Sequence, residues 1–113
     1  MSKNYSEITN DISEMLKKFQ QTLPDVMTGF NAMGKAAKKD GALSAKTKEL
    51  IALSLGVAAH CDGCIGFHAK ACAKLGATPE EVMEALGMAV YMGGGPSLMY
   101  AADAIRAYEE FNK

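Results

Sequence analysis

Residues 49–72 read ELIALSLGVAAHCDGCIGFHAKAC. This stretch holds all three cysteines and both histidines of the chain, and a carboxylate, Glu49, at the front of an apolar run. The apolar side chains between residues 50 and 58 cover nearly every face of a helix, which is typical of a helix buried on most sides. We therefore predict a helix over residues 45–59, with Ser44 as its N-cap.

Four side chains of the stretch are spaced three or four residues apart: Cys61, Cys64, His68 and Cys72. Residues at these spacings share one face of a helix, so they form one stripe if the segment is helical. Two thiols that can meet, with an imidazole one turn away, suit thiol–disulfide chemistry, because the thiolate is the reactive species and the imidazole takes the thiol proton. Cys64, one turn before His68, is the candidate nucleophile, and Cys61 is the thiol that converts its sulfenic acid into a disulfide.

Glu49 is the candidate that orients His68 and takes up its proton, as a carboxylate does for a catalytic histidine. Residue counting does not by itself bring the two together. If the chain turns near residues 60–62, the two side chains are offset by roughly 6 Å along antiparallel helices. A crossed packing angle or a bridging water is then needed, and the alternative is that Glu49 is a surface residue.

Outward from this stretch, local signals predict the other helices. A fourth helix is expected from about Cys61–Cys64 to Leu75, ending at Gly76. The remaining helices are predicted over residues 4–20, from Pro24 to the stop at residues 38–41, from the N-cap Thr78 to the Gly93-Gly94-Gly95-Pro96 break, and over residues 96–111. No segment alternates with a period of two, so strands are not expected. The sequence predicts an all-α domain of about six helices.

The length of 113 residues indicates a single domain over residues 1–113. Lys and Arg number 12 and Asp and Glu number 13, which gives no electrostatic argument for nucleic acid or an anionic membrane as partner. No apolar run has the length of a membrane span, and the polar N-terminus lacks a signal-peptide core, so we expect a cytoplasmic protein. In a reducing cytosol, a C-x-x-C pair is more often catalytic or metal-binding than a structural bridge.

Several other interpretations of these residues remain open. Zinc is one, with Cys61, Cys64, His68 and the adjacent His60 as ligands, although neighbouring residues rarely reach one tetrahedral ion and no distant second pair exists. A c-type haem is excluded, because that motif needs a histidine directly after the second cysteine. Cys72 is predicted to be a small buried residue and His60 a capping or junction residue, while the glycine-rich break is read as a tight turn for close helix or subunit contact.

Taken together, Glu49, the run Cys61-Asp62-Gly63-Cys64 and His68 resemble the core of the alkylhydroperoxidase D (AhpD) proteins, which belong to the carboxymuconolactone decarboxylase superfamily. The flanks are similar as well: LSAKTKELIALSLG precedes the cysteines, AKLGATPEE follows them, and GGGP comes later. The resemblance covers about residues 20–105.

The resemblance implies an AhpD-like helical bundle that assembles as a homotrimer or homohexamer. It implies a thiol-dependent peroxidase in which Cys64 becomes the sulfenic acid, Cys61 is the proton donor and resolving thiol, and Glu49 and His68 relay protons. The substrate would be a hydroperoxide and the reductant an external dithiol or thiol protein, with no metal or organic cofactor.

One position departs from the fullest catalytic set of this family. Mycobacterial-type enzymes carry a histidine directly before the second cysteine, where this chain has Gly63. Two further alternatives are a redox-sensing or binding module without turnover, and a carboxymuconolactone decarboxylase-like lyase, although that branch generally lacks the cysteine pair.

Overall fold

Six α-helices make up the computed structural model, which describes residues 3–113. They are α1 (Tyr5–Thr22), α2 (Pro24–Ala37), α3 (Ala45–Ala58), α4 (Asp62–Lys74), α5 (Pro79–Gly93) and α6 (Gly95–Phe111). Between residues 3 and 113 there is no strand, and none of the helices is both long and apolar enough to cross a membrane. The all-α class and the number of helices predicted from the sequence are confirmed.

The helix starts follow from the capping residues that the sequence displays. Ser44 accepts a hydrogen bond from the backbone N–H of Thr47 at the start of α3. Thr78 and Glu81 form a reciprocal capping box at the start of α5, which satisfies two backbone donors that the first turn leaves free. Pro24 occupies the first turn of α2, where its missing N–H is not needed.

The glycine-rich break is shorter than predicted. We expected no helix to run through residues 93–96, but α5 includes Gly93 and α6 begins at Gly95. Gly94 alone leaves the helical conformation, with φ of 73°, a value that favours glycine. A side chain at position 93 would collide with Ser97, so the missing Cβ at Gly93 lets the two helix ends approach closely.

The core lies where α3, α4, α5 and α6 meet, with α1 packed across α4 and α6. Helix α2 contributes no buried residue, and its principal contact is with α1. The fully buried larger side chains are Tyr5, Leu53, Val57, Ile65, Cys72 and Val82.

Two predictions of burial are wrong for the single chain. Helix α3 is not buried on most sides, because Ile51 and Leu55 are 44% and 64% exposed. Leu98, predicted to face inward on α6, is 51% exposed. On α3 the core uses the face that carries Leu53 and Val57, and a second apolar face with Ile51 and Leu55 stays on the surface.

Candidate functional site

Glu49 and His68 are in direct contact, although 19 residues separate them. The carboxylate lies on α3 and is only 4% exposed, and its Oε1 is 2.6 Å from Nδ1 of His68 on α4. A carboxylate beside Nδ1 accepts its proton in a hydrogen bond and leaves Nε2 as the nitrogen that exchanges protons. The packing of α3 on α4 therefore removes the offset that residue counting gave, and Glu49 is not a surface residue.

His68 and Cys64 line the same hollow on the surface of the molecule, with a volume of about 310 Å³. The opposite wall is the apolar flank of α3 and the residue after it, made of Ala52, Leu55, Gly56 and Ala59. A Cβ on Gly56 would lie 3.0 Å from the Cβ of Cys64, so glycine allows α3 to approach Cys64 closely. The hollow brings a sulfur, an imidazole and an apolar wall together.

Cys61 and Cys64 are joined as a disulfide, with their Cα atoms 5.2 Å apart. Cys61 is the N-cap of α4, and its Sγ accepts the backbone N–H of Cys64 at 3.2 Å. A sulfur at a helix N-terminus is stabilised as thiolate by that N–H and by the helix dipole. The two cysteines thus differ in surroundings: Sγ of Cys61 accepts a backbone N–H, and Cys64 lines the hollow together with His68.

Asp62, between the two cysteines, is tied to the N-terminal segment. Its Oδ1 accepts hydrogen bonds from the hydroxyl of Tyr5 at 2.8 Å and from Nζ of Lys3 at 3.0 Å, and Lys3 also reaches Asp103 at 2.9 Å. Burial acts to raise the pKa of Asp62, but the hydrogen bonds from Lys3 and Tyr5 outweigh it and hold that pKa below its ordinary value. Burial and the bond to Asp62 raise the pKa of Tyr5 well above its ordinary value.

Sequence reasoning missed this network, since it considered Asp62 only as part of the run between the two cysteines. The partners of Asp62 lie 57 and 59 residues away in the chain, and no spacing rule connects residues at such a separation.

Gly63, where the fullest catalytic set has a histidine, faces α1. A Cβ at this position would lie 2.8 Å from Cδ1 of Ile12. Helix α1 therefore occupies the space that a side chain between the cysteines would need. Within this chain, the departure from the family pattern has a packing reason.

His60 is a junction residue between α3 and α4, as predicted. Its φ of 56° is left-handed, and the backbone N–H groups of His60 and Cys61 bond back to Val57 and Gly56, closing α3 in a Schellman motif. The imidazole stacks on the ring of Tyr100, with ring centroids 4.8 Å apart and planes 6° from parallel.

Cys72 is fully buried in the core, which confirms the expectation of a small buried residue. Burial, together with the charge of Glu49, raises the pKa of its thiol to about 12. Among residues 3–113, no three His, Cys, Asp or Glu side chains are grouped so that they would hold a metal ion, so the zinc interpretation finds no ligand set there.

Comparisons with known proteins agree with this fold. Residues 24–107 match the model of the Carboxymuconolactone decarboxylase family. The chain is 38% identical over 102 residues to a protein of Cupriavidus necator, covering 90% of both, and 36% identical over 83 residues to a protein of the cox locus of Paracoccus denitrificans, covering 74% of this chain and 75% of that one.

Two crystal structures are similar as well. One is a carboxymuconolactone decarboxylase family protein from Legionella pneumophila, 61% identical, with a TM-score of 0.94 over 96% of this chain and 97% of that chain. The other is a family protein from Thermotoga maritima for which involvement in an antioxidative response has been suggested. It is 30% identical, with a TM-score of 0.75 over 88% of each chain.

Proposed function

The chain belongs to the carboxymuconolactone decarboxylase family, and from that premise we propose that it is a thiol-dependent peroxidase acting through Cys61 and Cys64. His68 and Glu49 serve as its proton relay. The observation that carries the proposal is the contact of the buried Glu49 carboxylate with His68, whose ring lines one hollow with Cys64. A carboxylate, an imidazole and a thiol in this order form the arrangement that activates a nucleophile.

In the first step, His68 takes the proton of the reduced Cys64 thiol, and the Glu49 charge stabilises the imidazolium. The thiolate attacks the distal oxygen of the hydroperoxide. An S–O bond forms and the O–O bond breaks, so Cys64 is oxidised to sulfenic acid and the peroxide is reduced. The departing alkoxide takes the proton from His68 and leaves as an alcohol.

In the second step, Cys61 attacks the sulfur of the Cys64 sulfenic acid. The S–S bond forms, the S–O bond breaks, and hydroxide leaves as water with the proton that Cys61 gives up. The backbone N–H of Cys64, which points at Sγ of Cys61, favours the thiolate form of Cys61 that this step needs.

In the third step, an external dithiol or thiol protein supplies two electrons and reduces the disulfide. Its first thiolate attacks Cys64, which borders the hollow, and Cys61 leaves as the thiolate that the helix N-terminus stabilises. The second thiol of the reductant then attacks the mixed disulfide, which releases Cys64 and leaves the reductant as a disulfide. The cycle requires no metal or organic cofactor. We propose that it runs in the cytoplasm, in a homotrimer or homohexamer.

The experiment is a count of free thiols in the reduced protein before and after one equivalent of cumene hydroperoxide. We expect rapid loss of two thiols per chain in the wild type and none in Cys64→Ser. In Cys61→Ser, a sulfenic acid should accumulate on Cys64 and be trapped by dimedone.

Turnover is then measured with dithiothreitol as the reductant. A reversible disulfide without turnover would contradict the peroxidase and favour a redox sensor. Slow thiol loss that is the same in wild type and His68→Ala would contradict the proposed relay.

A further inference from the structure

We propose that helix α2 of one chain docks into the groove between α3 and α5 of a second copy, and that this neighbouring helix forms a wall of the hollow that holds Cys64 and His68. The inference goes beyond the proposed function, because it assigns the surface through which copies meet and its connection to the site.

The first observation is an apolar stripe on α2 that residues 3–113 leave largely exposed. Val26, Phe30 and Met33 lie at i, i+4 and i+7, on one face of the helix, and each is more than half exposed. Helix α2 has no buried residue, and its principal contact is with α1. An amphipathic helix that presents such anchors is the usual occupant of an apolar groove.

The second observation is an apolar groove with a volume of about 510 Å³. Its walls are α3 and α5, and its lining residues are Thr47, Leu50, Ile51, Ser54, Leu55, Glu81, Glu84, Ala85 and Met88. From Thr47 to Leu55 the groove follows α3 for about 12 Å, and the α2 stripe from Val26 to Met33 is about 10 Å long at the helical rise per residue. The apolar anchors therefore fit the length of the groove.

The charges at the ends of the two surfaces are complementary. One end of the groove is acidic, since Glu81 and Glu84 line it, and Glu81 pairs with Lys46 at 2.9 Å near the start of α3. Helix α2 ends in a cluster of cations, with Lys35 in its last turn and Lys38 and Lys39 directly after it. This arrangement orients the docked helix with its Met33 end toward Glu84.

The occupant is a second copy because the chain carries both surfaces but cannot join them itself. Only Leu23 separates α1 from α2, which keeps α2 on α1, away from its own groove. A surface that fits a different surface of the same chain generates repeated contacts between copies, which close into a symmetric ring when the rotation from one copy to the next closes.

The connection to the site runs through Leu55. This side chain is 64% exposed and lines both the groove and the hollow that contains Cys64 and His68. A helix seated in the groove covers Leu55 and narrows the approach to the reactive sulfur. In the single chain, the hollow lacks this wall.

The test compares the masses of three variants by sedimentation velocity. Phe30→Asp places a charge on the α2 stripe, and Met88→Asp places one in the groove, so both should lower the mass from an oligomer to a monomer. Met83→Asp is the matched control on α5, since Met83 is exposed but does not line the groove, and it should keep the wild-type mass. A monomeric mass for the wild type would overturn the proposal. So would an oligomeric mass for both Phe30→Asp and Met88→Asp.

Mixing the two variants distinguishes docking of α2 in the groove from a contact between two identical patches. A Phe30→Asp chain keeps its groove and a Met88→Asp chain keeps its α2 stripe, so the two monomers should associate with each other at high concentration. The failure of the mixture to associate would exclude α2-in-groove docking. A complex with a different protein but not with a second copy would overturn the choice of occupant.

A labelling rate tests the connection to the site without any peroxide turnover. In a Cys61→Ser background, a bulky maleimide should react with Cys64 several-fold faster when Phe30→Asp is also present. Equal rates would show that the docked helix does not wall the hollow. Because neither mass nor labelling depends on peroxidase activity, the failure of this inference and that of the proposed function can be told apart.

Discussion

Glu49 and His68 form a pair in which the buried carboxylate of Glu49 orients the imidazole of His68. The Glu49 carboxylate is only 4% exposed, and it contacts Nδ1 of His68 at 2.6 Å. The imidazole is held in one orientation and retains access to the hollow that Cys64 borders. In the proposed cycle, the imidazole would thus be oriented for proton transfer at that sulfur before the hydroperoxide binds.

The proposed proton relay predicts that substitutions of His68 and Glu49 lower the rate of the peroxide reaction by different factors. His68→Ala should slow the reaction of reduced Cys64 with cumene hydroperoxide about 100-fold at neutral pH, and Glu49→Gln, which keeps a hydrogen bond but loses the charge, about tenfold. The measurement is the rate constant by stopped flow as a function of pH. In His68→Ala the rate should keep rising toward the ordinary thiol pKa of about 8.5, because no base assists ionisation. An unchanged pH profile in His68→Ala would mean that the imidazole is not the base.

Cys72 should not react with alkylating reagents or take part in the peroxide reaction, although it belongs to the same helical stripe as Cys61, Cys64 and His68. Its thiol is fully buried and its pKa is raised to about 12, so it stays protonated and inaccessible at neutral pH. We expect mass spectrometry to find two alkylated cysteines per reduced native chain after iodoacetamide, and three after denaturation. Cys72→Ala serves as the control and should leave the peroxide rate unchanged, whereas three labels on the native protein would contradict the assignment.

The residues of the candidate site could be found from the sequence, and their arrangement could not. The spacing of Cys61, Cys64 and His68 on one helix is a local property, so it is visible in the order of residues. The distance from Glu49 to His68 depends on how two helices cross, and the tie between Asp62 and Tyr5 joins residues 57 positions apart. Such contacts are set by tertiary packing.

At the scale of helices, the contact between α1 and α4 depends on small residues. Gly63 meets Ile12, and a Cβ on Gly66 would lie 2.6 Å from Cγ2 of Thr9 and 3.2 Å from Cδ1 of Tyr5. Since both glycines lie in the first half of α4, α1 rests directly on the backbone that carries the cysteines. A side chain at either position would push α1 away.

Two matched glycine substitutions test this contact. Gly66→Ala should destabilise the protein by about 1–3 kcal/mol, because the added methyl group overpacks the space between α1 and α4. Gly87→Ala, on α5 with nothing within 4 Å of the added Cβ, should instead stabilise it by up to about 1 kcal/mol through helix propensity. Urea unfolding followed by circular dichroism measures both changes. Equal effects of the two substitutions would show that α1 does not press on Gly66.

Hydrophobic periodicity predicted the helices and their caps but not which apolar face each one buries. Leu98 and Leu55 satisfy a helical pattern as well as Leu53 does, yet only Leu53 enters the core. The pattern in one dimension shows that a helix has an apolar stripe, and it does not distinguish a stripe for the core from a stripe for a neighbour.

For the whole molecule, the single chain leaves large apolar side chains in contact with water on α2, α3, α5 and α6. A monomer rarely presents contiguous surfaces of this kind without a partner. Folding and association of copies are therefore expected to be linked, with stability that depends on protein concentration.

The linkage predicts a melting temperature that rises with the concentration of the wild-type protein. Covering Phe30 and the groove removes apolar surface from water only in the assembled state, and mass action then favours the folded assembly. Differential scanning calorimetry over a hundredfold range of concentration measures the shift. The Phe30→Asp variant should melt at one temperature throughout, and a wild type that does the same would contradict the linkage.

The same helix-ending Schellman motif occurs on both sides of α4. His60 takes the left-handed position in the motif before α4, and Gly76 takes it in the motif after α4. Glycine adopts the left-handed conformation freely, whereas another residue gives up roughly 1–2 kcal/mol there. The junction before Cys61 should therefore open locally more often than the one after Leu75, and the amides of His60 and Cys61 should exchange with deuterium faster than those of Gly76 and Ala77. We therefore expect the backbone to open more often at the N-terminal end of α4, where Cys61 and Cys64 lie, than at its C-terminal end.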